Sequence, residues 1–489
     1  MLSLLLYVHA RGAERRGIRL LLYCGVVVSG MLSLGSKEIA LTLPVVIFLY
    51  EWFFFQNLQL AWLKKRIPLI IGILVLLILI GYLFKATNPI DAILASYNLR
   101  HFTLGQRVLT EFRVVVFYIS LLLYPHPGRL NLEHDFALSQ SLFNPVTTLF
   151  SLALIVGCLA VAVVRARQDR LIAFCLLCFF GNLVLESSIV GLEIIFEHRT
   201  YLPSMFAIFA LVLAGYRFIP NSRLRILVFL ACCLIGALWT FERNMVWRSE
   251  IGFLQDCLEK SPRKWRVHSS LGNAMAKKGR YDEAIYHFET ALQLNAYEDR
   301  MKRKTGQIIP GAGVDLEQAA RKLYADLLTN LGNALVRDGC SEAGAVQIKK
   351  ALELDPRHVK AHTNMGLVLS KQDKGAAAIE SYRQALELDP DFAPAHNNLG
   401  LELAARGEID PAINHYNKAI ELDANFAEAY NNLGVQLARI GRMTEAVSNL
   451  AQAIAIRPDY AEAYYNLGLA QVAQGRIDTR QKHLSRLYL

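Results

Sequence analysis

Apolar residues gather in seven runs over the first half of the chain, at about 20–35, 39–55, 67–84, 145–164, 171–185, 202–216 and 226–241. A helix needs about 20 residues to cross the roughly 30 Å hydrocarbon core of a bilayer, with about 17 as a lower limit. Several of the runs are near that minimum, and 20–35 reaches it only with its flanking residues. One short run would suit a buried core helix of a soluble protein. Seven in succession predict a polytopic membrane helix bundle over 1–241. The stretch RVLTEFRVVVFYISLLLY (107–124) differs: it carries Arg107, Glu111 and Arg113, and its clean apolar core is only about Val114–Tyr124. That pattern predicts an interfacial or re-entrant helix rather than a span.

Charge sharpens the division. Hydrophobic residues make up 54% of the chain and charged ones only 19%, below the ~25% usual in soluble domains. Up to residue 241 there are 20 Lys and Arg against 11 Asp and Glu, net +9, and beyond it 32 against 31, net +1. Thirteen of those 20 basic residues fall in four short stretches: Arg11, Arg15, Arg16, Arg19; Lys64, Lys65, Arg66; Arg165, Arg167, Arg170; and Arg217, Arg223, Arg225. Basic residues concentrate in cytoplasmic loops, so the four stretches are expected on one inner side. A nucleic-acid partner would want this charge on a soluble face, and it is not there. With 107–124 not crossing, SKE (36–38), NLEHD (131–135) and EHRTYLPS (197–204) face outward, and the last span delivers residue 242 onward to the same extracytoplasmic side.

Beyond residue 264 the periodicity changes from runs to repeats. Glycines at Gly332, Gly366, Gly400, Gly434 and Gly468 recur every 34 residues, mostly within NLG. Alanines follow nineteen residues later at Ala351, Ala385, Ala419 and Ala453, and prolines close units at Pro356, Pro390 and Pro458. This period and these small residues are the tetratricopeptide (TPR) signature, in which helix pairs stack into an α-solenoid. An earlier copy carries Gly272, Ala284, Phe288 and Ala291. The expected organisation is all-α: membrane domain 1–241; junction and capping helix 242–264; one TPR at 265–298; an insertion at 299–324, with TGQIIPGAG (305–313) as loop; an array over 325–480 with repeats starting near 325, 359, 393, 427 and 461; and a tail at 481–489.

Two residues before each of those repeat glycines stands an asparagine: Asn330, Asn364, Asn398, Asn432 and Asn466, with Ser270 in the first copy. A primary amide offers a donor and an acceptor together and so matches a peptide bond. A ladder of amides can grip an extended polypeptide without reading its side chains. In this it resembles the asparagine ladder of the TPR superhelix of O-GlcNAc transferase. The other reading is that these amides are simply solvated.

The remaining chemistry is sparse. There is no phosphate-binding glycine loop, zinc spacing or serine-hydrolase elbow, and no cofactor is identified. Six of the eight cysteines lie in apolar runs, leaving Cys257 and Cys340, which implies no disulfide framework. Cys175 and Cys178 form a C-x-x-C without a flanking His.

SKEIALTLPVVIFLYEWFF (36–54), YPHPGRLNLEHDF (124–136) and EHRTYLPS (197–204), followed by TPRs, resemble the transmembrane-and-TPR O-mannosyltransferases and their bacterial relatives. The resemblance covers nearly the whole chain and implies a C-type glycosyltransferase that moves sugar from a polyprenyl-phosphate carrier to protein on the extracytoplasmic face. It implies a bacterial cytoplasmic membrane rather than the ER. The family's acidic catalytic motif, in the first outer loop after an initial span, has no match here, so no catalytic residue is carried over and a fragment or a non-catalytic derivative is expected. At the outer bilayer edge Arg199, with His198 and Lys37, is the candidate holder of a lipid-carrier phosphate, since guanidinium matches phosphate oxygens. An interhelical clamp of Arg199 with Glu197 or Glu38, or plain snorkelling at the interface, is the structural alternative. Two functions follow: polyprenyl-phosphate-sugar-dependent protein glycosylation with polypeptide acceptors held by the TPRs, or a non-catalytic membrane-anchored TPR scaffold.

Overall fold

A computed structural model describes residues 2–36, 42–68, 72, 102–131, 134, 136–186, 201–304 and 314–474. Among these residues the chain is all-helical, without strands. It divides into two compact units, one of Met1–Val267 with Glu298–Ala312, the other of His268–Tyr297 with Gly313–Leu489.

The first unit contains α1 (Leu2–Gly12), α2 (Arg16–Ser36), α3 (Leu43–Tyr50, prolonged by a π-turn over Glu51–Phe55), α4 (Leu104–Leu123), α5 (Thr147–Arg165), α6 (Arg170–Glu186), α7 (Tyr201–Phe218), α8 (Ser222–Val246) and α9 (Glu250–Lys260). Six of the seven apolar runs are thus largely helical, and most of 67–84 lies outside the described residues. Two helices, α5 and α8, are long and apolar enough to cross a membrane. In α5 the side chains turned inward are Thr148, Ser151 and Ala162, while Val164 is 80% exposed. Helix α8 buries none of its residues. Both reverse the usual arrangement of a water-soluble helix.

An aromatic cluster forms the core of this unit, with Phe53, Phe102, Tyr118, Phe174 and Phe179 buried. Helix α4 begins with a capping box, Thr103 Oγ1 accepting from Gln106 N at 3.2 Å and Gln106 Oε1 from Thr103 N at 2.9 Å. Its buried face runs through Arg107, Thr110, Glu111, Val114, Tyr118 and Leu121, with Arg107 and Glu111 paired at 3.0 Å. Two of the three charged residues of 107–124, Arg107 and Glu111, are therefore internal, while Arg113 is half-buried.

The second unit is built of helix pairs. They are α10 (Trp265–Lys277) with α11 (Tyr281–Lys304), α12 (Val314–Arg337) with α13 (Ser341–Leu354), and α14 (Val359–Lys371) with α15 (Gly375–Leu388). Then come α16 (Ala393–Ala405) with α17 (Ile409–Leu422), α18 (Ala427–Arg439) with α19 (Met443–Ile456), and α20 (Ala461–Ala473). The repeat glycines sit where paired helices cross. A Cβ on Gly366 would lie 2.5 Å from Tyr382 Cε1, and one on Gly400 2.7 Å from Tyr416 Cε1. Sixteen residues separate each such glycine from the large side chain filling its notch. The alanines three residues further on (Ala351, Ala385, Ala419, Ala453) are completely buried. At the turn inside each pair the backbone is left-handed, at Gly279, Gly339, Gly407 and Gly441, and at Asp373 (φ 58°) in the equivalent slot. The residues expected as an insertion add to helices on both sides: α11 runs to Lys304 and α12 starts at Val314. The loop expected at 305–313 lies outside the described residues.

Candidate functional site: the first-helix face of the repeats

The first helices of successive pairs, α12, α14, α16, α18 and α20, pack directly on one another and form one continuous layer. All five ladder asparagines lie on these helices, and all are half-buried. The layer brings the amides together in register, one per repeat.

What orients them was not foreseen. Asn432 Nδ2 donates to Asn397 Oδ1 at 2.9 Å, and Asn466 Nδ2 donates to Asn431 Oδ1 at 2.9 Å. Each bond reaches back 35 residues, from one repeat to the residue just before the preceding rung. Asn397 is 5% exposed and Asn431 fully buried. Asn397 Nδ2 turns to Asn398 Oδ1 at 3.3 Å, and Asn431 Nδ2 to Glu462 Oε1 at 3.2 Å. Where threonine takes this place, the hydroxyl is spent on its own helix: Thr329 Oγ1 donates to Ala325 O at 2.7 Å and Thr363 Oγ1 to Val359 O at 3.0 Å. The braced rungs are therefore the last two, Asn432 and Asn466. The doubled asparagines NN at 397–398 and 431–432 were the available sequence signal, but the 35-residue offset comes from helix stacking.

Three residues beyond four of the rungs, hence on the same helix face, stand Leu367, Leu401, Val435 and Leu469. Leu401 and Leu469 are each 43% exposed. The face thus combines amides with apolar side chains, and it holds no metal-binding set: among the described residues there is no group of three or more His, Cys, Asp and Glu that could hold an ion. Two histidine pairs span helix partners instead, His268 Nδ1 with His287 Nδ1 at 3.1 Å and His396 Nδ1 with His415 Nδ1 at 2.9 Å. Burial first, and the second ring next, push His287 and His415 below the usual histidine range.

In the first unit, Arg199, His198 and Lys37 lie outside the described residues. The motif at 124–136 is largely described. Arg129 is occupied at the end of α4, donating from Nη1 to the carbonyls of Ser120 and Tyr124 at 3.1 Å each and from Nη2 to Ser120 Oγ at 2.6 Å. Lys260 Nζ donates to the carbonyls of Pro127 and Leu130 at 3.0 and 2.8 Å, and Asn131 Nδ2 to Ser261 Oγ at 2.8 Å. Residues around α9, expected as a cap on the array, group with this unit through these bonds.

Residues 265–296 and 359–392 match tetratricopeptide repeat models, and 400–441 and 436–475 match a TPR repeat model. No curated protein matches the chain. Among solved structures, MamA is 27% identical over 32% of this chain and 92% of its own, with a TM-score of 0.29. YrrB, described as a TPR protein with an unusual peptide-binding site, is 21% identical over 43% and 95%, with a TM-score of 0.26. TTC0263, a thermophilic TPR protein of Thermus thermophilus, is 20% identical over 42% and 99%, with a TM-score of 0.35. The helices over 265–296, 359–392 and 400–475 are tetratricopeptide repeats.

Proposed function

We propose that the protein is a membrane-anchored TPR protein whose array captures extended polypeptide along Asn330, Asn364, Asn398, Asn432 and Asn466 on the extracytoplasmic side. The observation that carries this reading is the bracing of Asn432 and Asn466 by asparagines of the preceding repeat. The bond satisfies a buried carbonyl oxygen and at the same time fixes the rung's rotamer, and an amide so held loses less entropy on binding a ligand. Replacing Asn364, Asn398 and Asn432 together with Ala tests it: each lost amide contact is worth roughly 0.5–1.5 kcal/mol, so capture of an unfolded polypeptide should weaken at least about tenfold while helicity is kept. Unchanged capture would return the amides to solvent. Placement is tested by keeping Cys340, exposed at the head of α13, as the single cysteine and labelling intact cells with an impermeant thiol reagent.

A second reading goes further, with the membrane unit presenting a polyprenyl-phosphate-linked sugar to the captured chain. Its support is the order of the motifs at 36–54, 124–136 and 197–204. In this reading Arg199, with His198 and Lys37, holds the carrier phosphate. Arg199→Lys should then lose much of the polyprenyl-phosphate binding, because a point charge does not replace a two-pronged contact. Binding that survives Arg199→Ala would end it.

A further inference from the structure

A cleft of about 1160 Å³ opens in the second unit between the early part of α12 and the α13–α14 connection. Arg321 and Lys322 line it from α12, and Arg357 and Lys360 from the connection and the first turn of α14. All four are exposed. The two carboxylates of the cleft are already engaged. Asp326 Oδ1 lies 3.0 Å from His358 Nε2, and Asp355 Oδ1 accepts from Arg357 N at 3.1 Å. His358 Nδ1 accepts from Ala361 N at 3.2 Å, so Nε2 carries the proton given to Asp326. That bond, reinforced by the cations of Lys360 and Lys322, holds the Asp326 carboxyl below the usual range. With four cations against two carboxylates, the cleft is net positive.

This basic character belongs to one repeat. At the 34-residue spacing, Arg357 and Lys360 are followed by Asp391 and Pro394, then Asn425 and Glu428, then Asp459 and Glu462. Glu428 pairs with Arg457, and Glu462 accepts from Asn431. The same edge thus runs from basic to acidic along the layer. Lys360 stands one helical turn before Asn364, on the same face of α14, so the cleft is continuous with the early rungs of the ladder.

We propose that this cleft receives the acidic end of the polypeptide bound along the asparagines: a segment bearing several Asp or Glu side chains, whose chain then runs over Asn364, Asn398 and Asn432 toward the acidic edge. This assignment rests on the reading of the layer as polypeptide-binding. Amides that match the backbone do not choose among sequences, whereas complementary charge at one end fixes partner choice and direction.

The test uses the full chain in detergent and two fluorescein-labelled peptides with one neutral Ser/Thr/Ala tract, ended by three glutamates or three glutamines. At low salt the glutamate peptide should bind about tenfold more tightly, as expected for a few exposed ion pairs, and this advantage should vanish at high salt. Arg357→Glu with Lys360→Glu should erase the advantage and leave the glutamine peptide unaffected. Arg357→Gln with Lys360→Gln, which adds no repulsion, should reduce it. Equal binding of the two peptides to the wild type would overturn the cleft assignment while leaving the ladder reading intact. Failure of both peptides to bind would overturn both. If vesicles of anionic phospholipid, rather than the glutamate peptide, lose binding in the charge variants, the cleft belongs to a membrane surface and the proposal falls.

Discussion

The side-chain amide of Asn466 donates to Oδ1 of Asn431, 35 residues earlier, at 2.9 Å. One partner is half-buried on the repeat face, and the other is completely enclosed beneath it. A buried carbonyl oxygen needs a donor, since leaving one unsatisfied costs about 1–3 kcal/mol. The bond therefore couples the stability of the stack to the orientation of the rung.

That coupling predicts two separable effects. Asn466→Ala, which strands the buried Asn431 carbonyl oxygen, should destabilise the array by about 1–3 kcal/mol and weaken polypeptide capture, since a rung is lost. Asn364→Ala, whose neighbour in the preceding repeat is the self-satisfied Thr329, should weaken capture with little change in stability. Denaturant unfolding beside peptide anisotropy distinguishes the two. Equal stability losses would mean that the bracing has no structural weight.

The glycine notches predict a steric penalty. In Gly400→Ala the new Cβ would lie 2.7 Å from Tyr416 Cε1. Tyr416 is fully buried and cannot swing clear. Overpacking of this kind costs about 1–3 kcal/mol, so the urea midpoint of the array should fall, with the loss centred on α16 and α17 in hydrogen exchange. An unchanged midpoint would mean that the helices part without cost.

Asp373 predicts the opposite sign. It adopts φ 58° where the equivalent turns use glycine, and a left-handed conformation costs a side-chain-bearing residue roughly 1 kcal/mol. Asp373→Gly should raise stability by up to about 1 kcal/mol, reduced by the greater freedom of glycine in the unfolded chain. Gly407→Asp should lower it. A loss of stability in Asp373→Gly would show that the aspartate side chain contributes more than its backbone costs.

The period, the glycine and alanine positions and the rungs could be read from the chain because each repeat must solve the same packing problem locally. The bracing could not. Asn397 and Asn431 occupy a slot that holds Thr329 and Thr363 elsewhere, and only the offset between stacked helices shows that asparagine there reaches the next repeat. Arg129, inside the motif at 124–136, has its guanidinium engaged with carbonyls and a hydroxyl at the end of α4, an arrangement that the motif's residue types do not indicate. The basic cleft is not legible in the sequence because its four cations are split between two segments, 321–322 and 357–360, separated by α13.

Within the first unit, the Arg107–Glu111 pair is enclosed, the two side chains 0% and 3% exposed. Removing one member of such a pair strands a charge and costs about 3–5 kcal/mol. Glu111→Ala should therefore unfold at markedly lower temperature in detergent. The double change Arg107→Met with Glu111→Leu should recover much of the loss, because apolar replacements of similar size remove both desolvation penalties. A double variant as unstable as the single one would mean that the loss comes from packing rather than from an uncompensated charge.

The histidine pairs predict how the array responds to acid. His396 Nε2 lies 2.9 Å from the carbonyl of Pro390 and carries its proton there, so in the neutral pair His396 Nδ1 accepts from His415 Nδ1–H. Protonating the second ring places two cations in contact and removes the acceptor. His415 is held below the ordinary histidine range by burial, then by His396 and Arg383. His287 is lowered by burial and then by His268, with Glu283 acting the other way. A depressed folded-state pKa means that the unfolded chain takes up the proton first. The stability is therefore present in full above the unfolded value of about 6.5 and is lost as pH falls below it, through the depressed values. Hydrogen exchange between neutral and mildly acidic pH should loosen α10–α11 and α16–α17 before α18–α19, where Tyr430 and Asn449 stand in the equivalent places. His415→Asn, which keeps a donor without a titrating ring, should flatten the response in α16–α17 alone. Uniform loosening of every repeat, or an unaltered response in that variant, would place the acid sensitivity elsewhere.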